Sequence, residues 1–210
     1  MTVHETLEAI EASRVVAIVR EPSADSAKRE VERLLTAGVR AIEVSLSTPG
    51  ALDVARWMAE HMGGNGVHCG LGTVLTVRDV KAAADAGSSF IVSPISRAGL
   101  ITTCQDLGLA SIVGAMTPTE CVIATEYGAD LLKLFPATLW TLEAIKGLLQ
   151  ALPLLKIVPT GGIRLAQAID WLDAGAVAVG LGGGLRTDGP IADLRGKVSA
   201  LARDARVGTA

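Results

Sequence analysis

Tyr127-Gly128-Ala129-Asp130-Leu131-Leu132-Lys133-Leu134-Phe135 holds the reading that decides the fold: a glycine closes one stretch, and a short apolar run opens directly behind it. A glycine just beyond a helix takes the left-handed conformation at little cost, so Gly128 marks a helix ending into a strand. The pattern recurs as AGVRAIEV from Ala37, AGSSFIVS from Ala86, LGLASIVG from Leu107 and AGAVAVGL from Ala174. Gly87, Gly108 and Gly128 lie about twenty residues apart, roughly one βα unit, whereas Gly38 to Gly87 and Gly128 to Gly175 each span about two. The turn from Gly63 to Gly66 and the segment Ala151-Leu152-Pro153 supply the missing beats.

Working outward, the apolar runs predict eight strands near residues 15–20, 40–46, 67–73, 89–93, 109–113, 130–134, 156–159 and 177–180. Helical patterns fill every gap, with start signals at Ser23 before Ala24 and at Thr117-Pro118-Thr119-Glu120. Strict alternation implies a parallel sheet, and eight units favour closure as a (β/α)8 TIM barrel. The expected organisation is one domain over residues 1–210, with a short helix before residue 14 capping the barrel bottom. A doubly wound open sheet is the alternative, since a strand count does not prove closure. No linker, low-complexity tract or second domain is visible.

Composition agrees. Half of the 210 residues are hydrophobic but only 3% are aromatic, so the core must be Ala, Val, Leu and Ile, as in parallel strands covered by helices. The net charge of -3 is scattered, which gives no footprint for nucleic acid. No apolar run approaches the ~20 residues that span a bilayer. Thr2 to Arg14 is mixed and charged, with no cleavable hydrophobic segment. Cys69, Cys104 and Cys121 are odd in number and widely spaced, and read as reduced, packed thiols.

Active residues of such a barrel gather at the C-terminal ends of its strands. Read in order, those ends carry Arg20, Glu43, Thr73, Ser93-Pro94, Gly114, Lys133, Thr160-Gly161-Gly162 and Gly182-Gly183-Gly184. Lys133 and Glu43 stand out because their strands are otherwise apolar, and a buried lone charge costs several kcal/mol. A lysine so placed supplies a nucleophilic amine, and a nearby carboxylate can move protons as an imine forms and breaks. A structural ion pair plugging the barrel is the alternative. Arg20 suits a carboxylate or phosphate, or is a solvated strand end. Thr73 suits a carboxylate, or simply ends its strand. The glycine clusters after strands seven and eight suit a phosphate held by backbone N–H groups, or only tight turns. His4, His61 and His68 lack ligand spacing, and His68-Cys69 reads as core packing. No Walker motif, serine elbow or dinucleotide fingerprint is present.

Segments along nearly the whole chain carry a family resemblance: VVAIVR, AGVRAIEVSLSTP, GLGTVLTVRDVKAAADAGSSFIVSP, TPTE, GADLLKLFPA and PTGGI. The sequence resembles the 2-keto-3-deoxy-6-phosphogluconate (KDPG) aldolases and their 4-hydroxy-2-oxoglutarate and phosphogalactonate relatives. The resemblance implies a class I aldolase in which Lys133 forms an imine with pyruvate or a longer 2-keto acid. Glu43, through a water, would shuttle protons. Thr73 and Arg20 would hold the keto-acid end, and Phe135 and Pro136 would wall it. Thr160, Gly161, Gly162, Gly182 and Gly183 would face a distal phosphate. It also implies a cytoplasmic homotrimer that needs no metal or organic cofactor.

Four positions depart from the family pattern. Ser47 stands where the gluconate-type enzymes carry an arginine, and Val113-Gly114 replaces Pro-Gly after strand five. Thr141, behind Trp140, stands near a usual glycine, and Gly183 replaces a frequent phosphate-binding serine. The imine machinery is intact and the substrate grip altered. Rival readings are an aldolase for unphosphorylated 2-keto acids, a metal-free isomerase or epimerase, and a sugar-phosphate-binding protein.

Overall fold

The computed structural model describes residues 1–63, 65–185 and 191–204. Of the expected domain, residues 64, 186–190 and 205–210 lie outside the described residues. Eight strands alternate with helices: β1 Val15–Val19, β2 Ala41–Ser45, β3 His68–Gly72, β4 Phe90–Val92, β5 Ala110–Ala115, β6 Leu131–Leu134, β7 Ile157–Pro159 and β8 Val179–Leu181. The helices are α1 Val3–Ser13, α2 Ala24–Thr36, α3 Ala51–Met62, α4 Val77–Asp85, α5 Ala98–Leu107, α6 Pro118–Glu126, α7 Leu142–Ala151, α8 Ala168–Asp173 and α9 Ile191–Asp204.

The strands form one parallel sheet in the order β7-β6-β5-β4-β3-β2-β1-β8. Its free edges meet: the Val177 N–H donates to the Ile157 carbonyl at 3.0 Å, and Thr160 bridges Gly180 in parallel. That contact decides for the barrel against the open sheet. The five glycines expected behind helices all take the left-handed conformation, Gly38, Gly87, Gly108, Gly128 and Gly175 among them. Ser23 and Thr117 cap α2 and α6 as expected, each accepting the backbone N–H three residues on.

Two cores divide the apolar side chains. The larger lies between strands and outer helices, where Val15, Ala17 and Val19 of β1 point. The smaller fills the barrel, with Val16, Ala41, Phe90, Ile112, Leu131 and Val158 among its members. Period-two alternation along each strand produces this division. From α1, fully buried Ile10 joins the inner cluster and closes the barrel bottom. Burying such a side chain is worth about 1.5–3 kcal/mol. Above this plug the interior opens at the C-terminal ends of the strands.

Candidate active site

Glu43 and Lys133 sit on β2 and β6, four strands apart in a ring of eight, so they face each other across the barrel. Glu43 is 2% exposed and Lys133 7%. Neighbouring strands make room for both. β3 carries Gly72 beside Glu43, where a Cβ would stand 2.8 Å from the carboxylate carbon. Gly114 of β5 pairs in register with Lys133, so no side chain crowds the lysine from that strand.

The two groups are not in ion-pair contact. Among the described residues no carboxylate lies within 4.0 Å of the Lys133 ammonium, and Glu43 Oε2 is buried with no hydrogen-bond partner. Burial pushes the Glu43 carboxyl above its ordinary range, against the opposing pull of Lys133 and then Arg20. Lys133 Nζ stands 5.1 Å from the Phe135 ring centroid, within cation–π range. A lysine and a carboxyl held apart, each unpaired, are arranged for a third group to come between them.

A cavity of about 510 Å³ opens above Lys133, lined by Arg20, Phe135, Thr160, Gly161, Gly162, Gly182 and Gly183 among others. Beneath it, a void of about 10 Å³ touches Glu43, Ile18, Thr160 and Gly180. Gly161 and Gly162 both have positive φ, at 96° and 78°, a backbone course that side-chain-bearing residues rarely follow. A Cβ on Gly161 would stand 3.1 Å from the Phe135 ring, so this turn packs directly on the aromatic wall. Pro136 follows Phe135 through a cis peptide and lies behind that wall.

Thr73 does not line this cavity. It sits on the adjoining rim with φ 60°, a left-handed conformation that is costly for a β-branched residue. Its hydroxyl lies 2.8 Å from that of Ser45, which is itself 2.8 Å from the Ser47 hydroxyl. The structure thus separates Arg20 from Thr73: the arginine shares a wall with the glycine turns, and the threonine heads a chain of three hydroxyls. Ser45 was missed by the sequence reading, although it shares the interior face of β2 with Glu43 two residues before it. Arg164 was missed too; it lines the cavity directly after the first glycine turn.

Two departures from the family pattern lie away from the site. Val113 is buried in the outer core, on the face of β5 opposite Gly114. Thr141 caps α7, its hydroxyl accepting the Ala144 N–H at 3.1 Å. His68 is a packed side chain whose Nδ1 lies 3.1 Å from the Thr6 hydroxyl. Cys69, Cys104 and Cys121 are buried in the packing, and burial pushes the first two thiols up to about 12 and the third to about 11. No cluster of three metal-ligating side chains occurs among the described residues. No helix among them is long and apolar enough to cross a membrane.

Known proteins resemble this chain in sequence and fold. The family model described as KDPG and KHG aldolase matches residues 7–193. The 2-dehydro-3-deoxy-6-phosphogalactonate aldolase of Escherichia coli is 31% identical, over 81% of this chain and 83% of its own. The 2-dehydro-3-deoxy-phosphogluconate aldolase of Zymomonas mobilis is also 31% identical, over 90% of this chain and 88% of its own. A solved structure described as native KDPGal superposes with a TM-score of 0.82 at 29% identity, covering 92% of this chain and 96% of that one. With an unpaired lysine and glutamate facing each other in the mouth of the barrel, the chain belongs to the KDPG and KHG aldolase family and is an enzyme with aldolase activity.

Proposed function

We propose that the chain is a class I aldolase that reversibly cleaves a 2-keto-3-deoxy sugar acid, 6-phosphorylated or not, or a 4-hydroxy-2-keto acid. The products are pyruvate and an aldehyde such as glyceraldehyde 3-phosphate. One observation carries the reading: the Lys133 amine and the Glu43 carboxyl are buried, opposed and unpaired beneath a substrate-sized cavity. Lys133 attacks the keto carbon and water leaves, giving an iminium that accepts electrons from the breaking C3–C4 bond. The C4 hydroxyl gives up its proton as the aldehyde departs. The resulting enamine takes a proton at C3, and water then hydrolyses the pyruvate iminium and frees the lysine. Glu43, its carboxyl raised by burial, takes and returns these protons, directly or through a water.

Arg20 and the turns of Thr160, Gly161, Gly162, Gly182 and Gly183 hold the distal part of the substrate. Thr73, with Ser45 and Ser47, holds the carboxylate of the keto acid, and Phe135 with Pro136 walls it. The reaction on this reading needs no metal or organic cofactor, and no nucleic acid or membrane takes part. A cytoplasmic homotrimer fits the family, and the surface supports assembly. Ile123, Tyr127 and Leu154 are 42%, 49% and 89% exposed, and a shallow apolar groove of about 270 Å³ runs between α6 and the turn behind α7.

Borohydride reduction in the presence of pyruvate tests the reading. A covalent adduct mapped to Lys133 is expected. An adduct on Lys156, which is ion-paired with Glu11 at the surface, or no adduct at all, overturns it.

A further inference from the structure

The imine chemistry leaves one cationic group of the cavity without a task. Arg164 lines the cavity beside Gly161, Gly162 and Gly183. A Cβ built on Gly184 would stand 3.2 Å from the Arg164 Cα, so the two glycine turns and this arginine form one continuous rim. Its backbone N–H and its Nε both donate to Gln167 Oε1, at 3.2 and 3.3 Å. These bonds anchor the side chain at its base, and among the described residues nothing accepts from its two Nη groups.

Two carboxylates, Glu21 and Glu30, also line the cavity, and Arg33 occupies both oxygens of Glu30, at 2.8 and 2.7 Å. Among the described residues no carboxylate forms an ion pair with Arg164. Space for a ligand lies alongside, because a Cβ at Gly183 would meet nothing within 4 Å. A guanidinium fork beside a glycine turn with open space matches the paired oxygens of a tetrahedral or planar anion.

We infer that Arg164 is a specificity residue that binds a terminal anion, phosphate or carboxylate, on the aldehyde half of the substrate. The inference rests on the aldolase reading and adds to it the residue that replaces the missing hydroxyl at Gly183. A charge-assisted contact of this kind raises affinity for the anion about tenfold to hundredfold.

The experiment compares condensation of pyruvate with glyceraldehyde 3-phosphate, with a carboxylate-terminated aldehyde such as succinic semialdehyde, and with neutral glyceraldehyde. In Arg164→Gln the ratio of kcat/KM for an anionic aldehyde over the neutral one falls about tenfold or more, and Arg164→Lys restores part of it. The aldehyde whose ratio falls identifies the anion as phosphate or carboxylate. An unchanged ratio, or an equal loss for all three aldehydes, overturns the assignment and leaves Arg164 a structural partner of Gln167. Thermal melting with inorganic phosphate and with succinate tests the site without aldol chemistry. The anion matching the affected aldehyde should raise the Tm of the wild type more than that of Arg164→Gln, and equal rises with both anions overturn the assignment. Absence of a pyruvate adduct in the wild type would instead sink the aldolase reading, so the two failures are separable.

Discussion

At the scale of single residues, Glu43 shows why a buried carboxyl is a liability to the fold that holds it. Its carboxyl is raised by burial, so the folded protein keeps the proton to higher pH than the unfolded chain does. The sign follows: stability is full in acid and declines as pH rises through the raised value. Glu43→Gln, which resembles the protonated acid, should match the wild-type Tm in acid and exceed it increasingly towards neutral pH. The same variant should lose roughly 10²–10⁴-fold in turnover, because an amide cannot accept and return a proton. Melting curves and deuterium exchange at the pyruvate methyl group measure the two halves. A fall in Tm at neutral pH would mean that attraction to Lys133 outweighs burial, as in a structural pair. Lys133→Met should abolish the borohydride adduct while the protein stays folded. Both residues were legible in the sequence, since a lone charge in an apolar strand demands an explanation. Ser45 was equally placed but uncharged, and a serine in a strand draws no attention until its hydroxyl is seen beside those of Thr73 and Ser47. The left-handed backbone of Thr73 had no sequence signal at all, because a β-branched residue is the last expected there.

Among the elements, the turns were legible through their glycines, and helix starts through Ser23 and Thr117, because local chemistry alone dictates both. What local pattern could not give is which glycine makes way for which neighbour. Gly70 leaves space that the Phe90 ring occupies, and Gly72 leaves space for the Glu43 carboxylate. These pairings join β3 to β4 and β3 to β2, and depend on which strands pair and in what register. Gly72→Ala should therefore act at a distance in sequence. Its methyl would displace the Glu43 carboxylate, lowering kcat more than a typical overpacking cost of about 1–3 kcal/mol would explain through unfolding. Activity per folded molecule, measured against circular dichroism, separates the effects. Gly183 presents the opposite case, with open space around it and a φ outside the left-handed region. Gly183→Ser should leave stability within about 0.5 kcal/mol. One added neutral hydrogen bond, about 0.5–1.5 kcal/mol, should raise kcat/KM for a phosphorylated substrate about two- to tenfold over an unphosphorylated one.

For the molecule as a whole, closure and assembly are the properties that a strand count leaves open. Closure is settled by the contact between β7 and β8, which no residue pattern announces. Assembly is expected through the apolar face that bears Ile123, Tyr127 and Leu154. Leu154→Glu, at an 89% exposed position, should leave the protomer folded and shift its native mass from trimer to monomer. A wild type that runs as a monomer at micromolar concentration would refute the trimer. The Ile10 plug carries a kinetic consequence of its own. A barrel stoppered at its base has a single doorway, so both products of cleavage must leave by the route the substrate took. With Lys133 as the proposed imine former, the aldehyde stands nearer that doorway and pyruvate stays tethered behind it. Traffic is therefore last in, first out: the aldehyde departs before pyruvate, and in synthesis pyruvate must arrive first. Initial-rate patterns should show pyruvate competing with the keto acid for the free enzyme, and the aldehyde competing only for the pyruvate-loaded form.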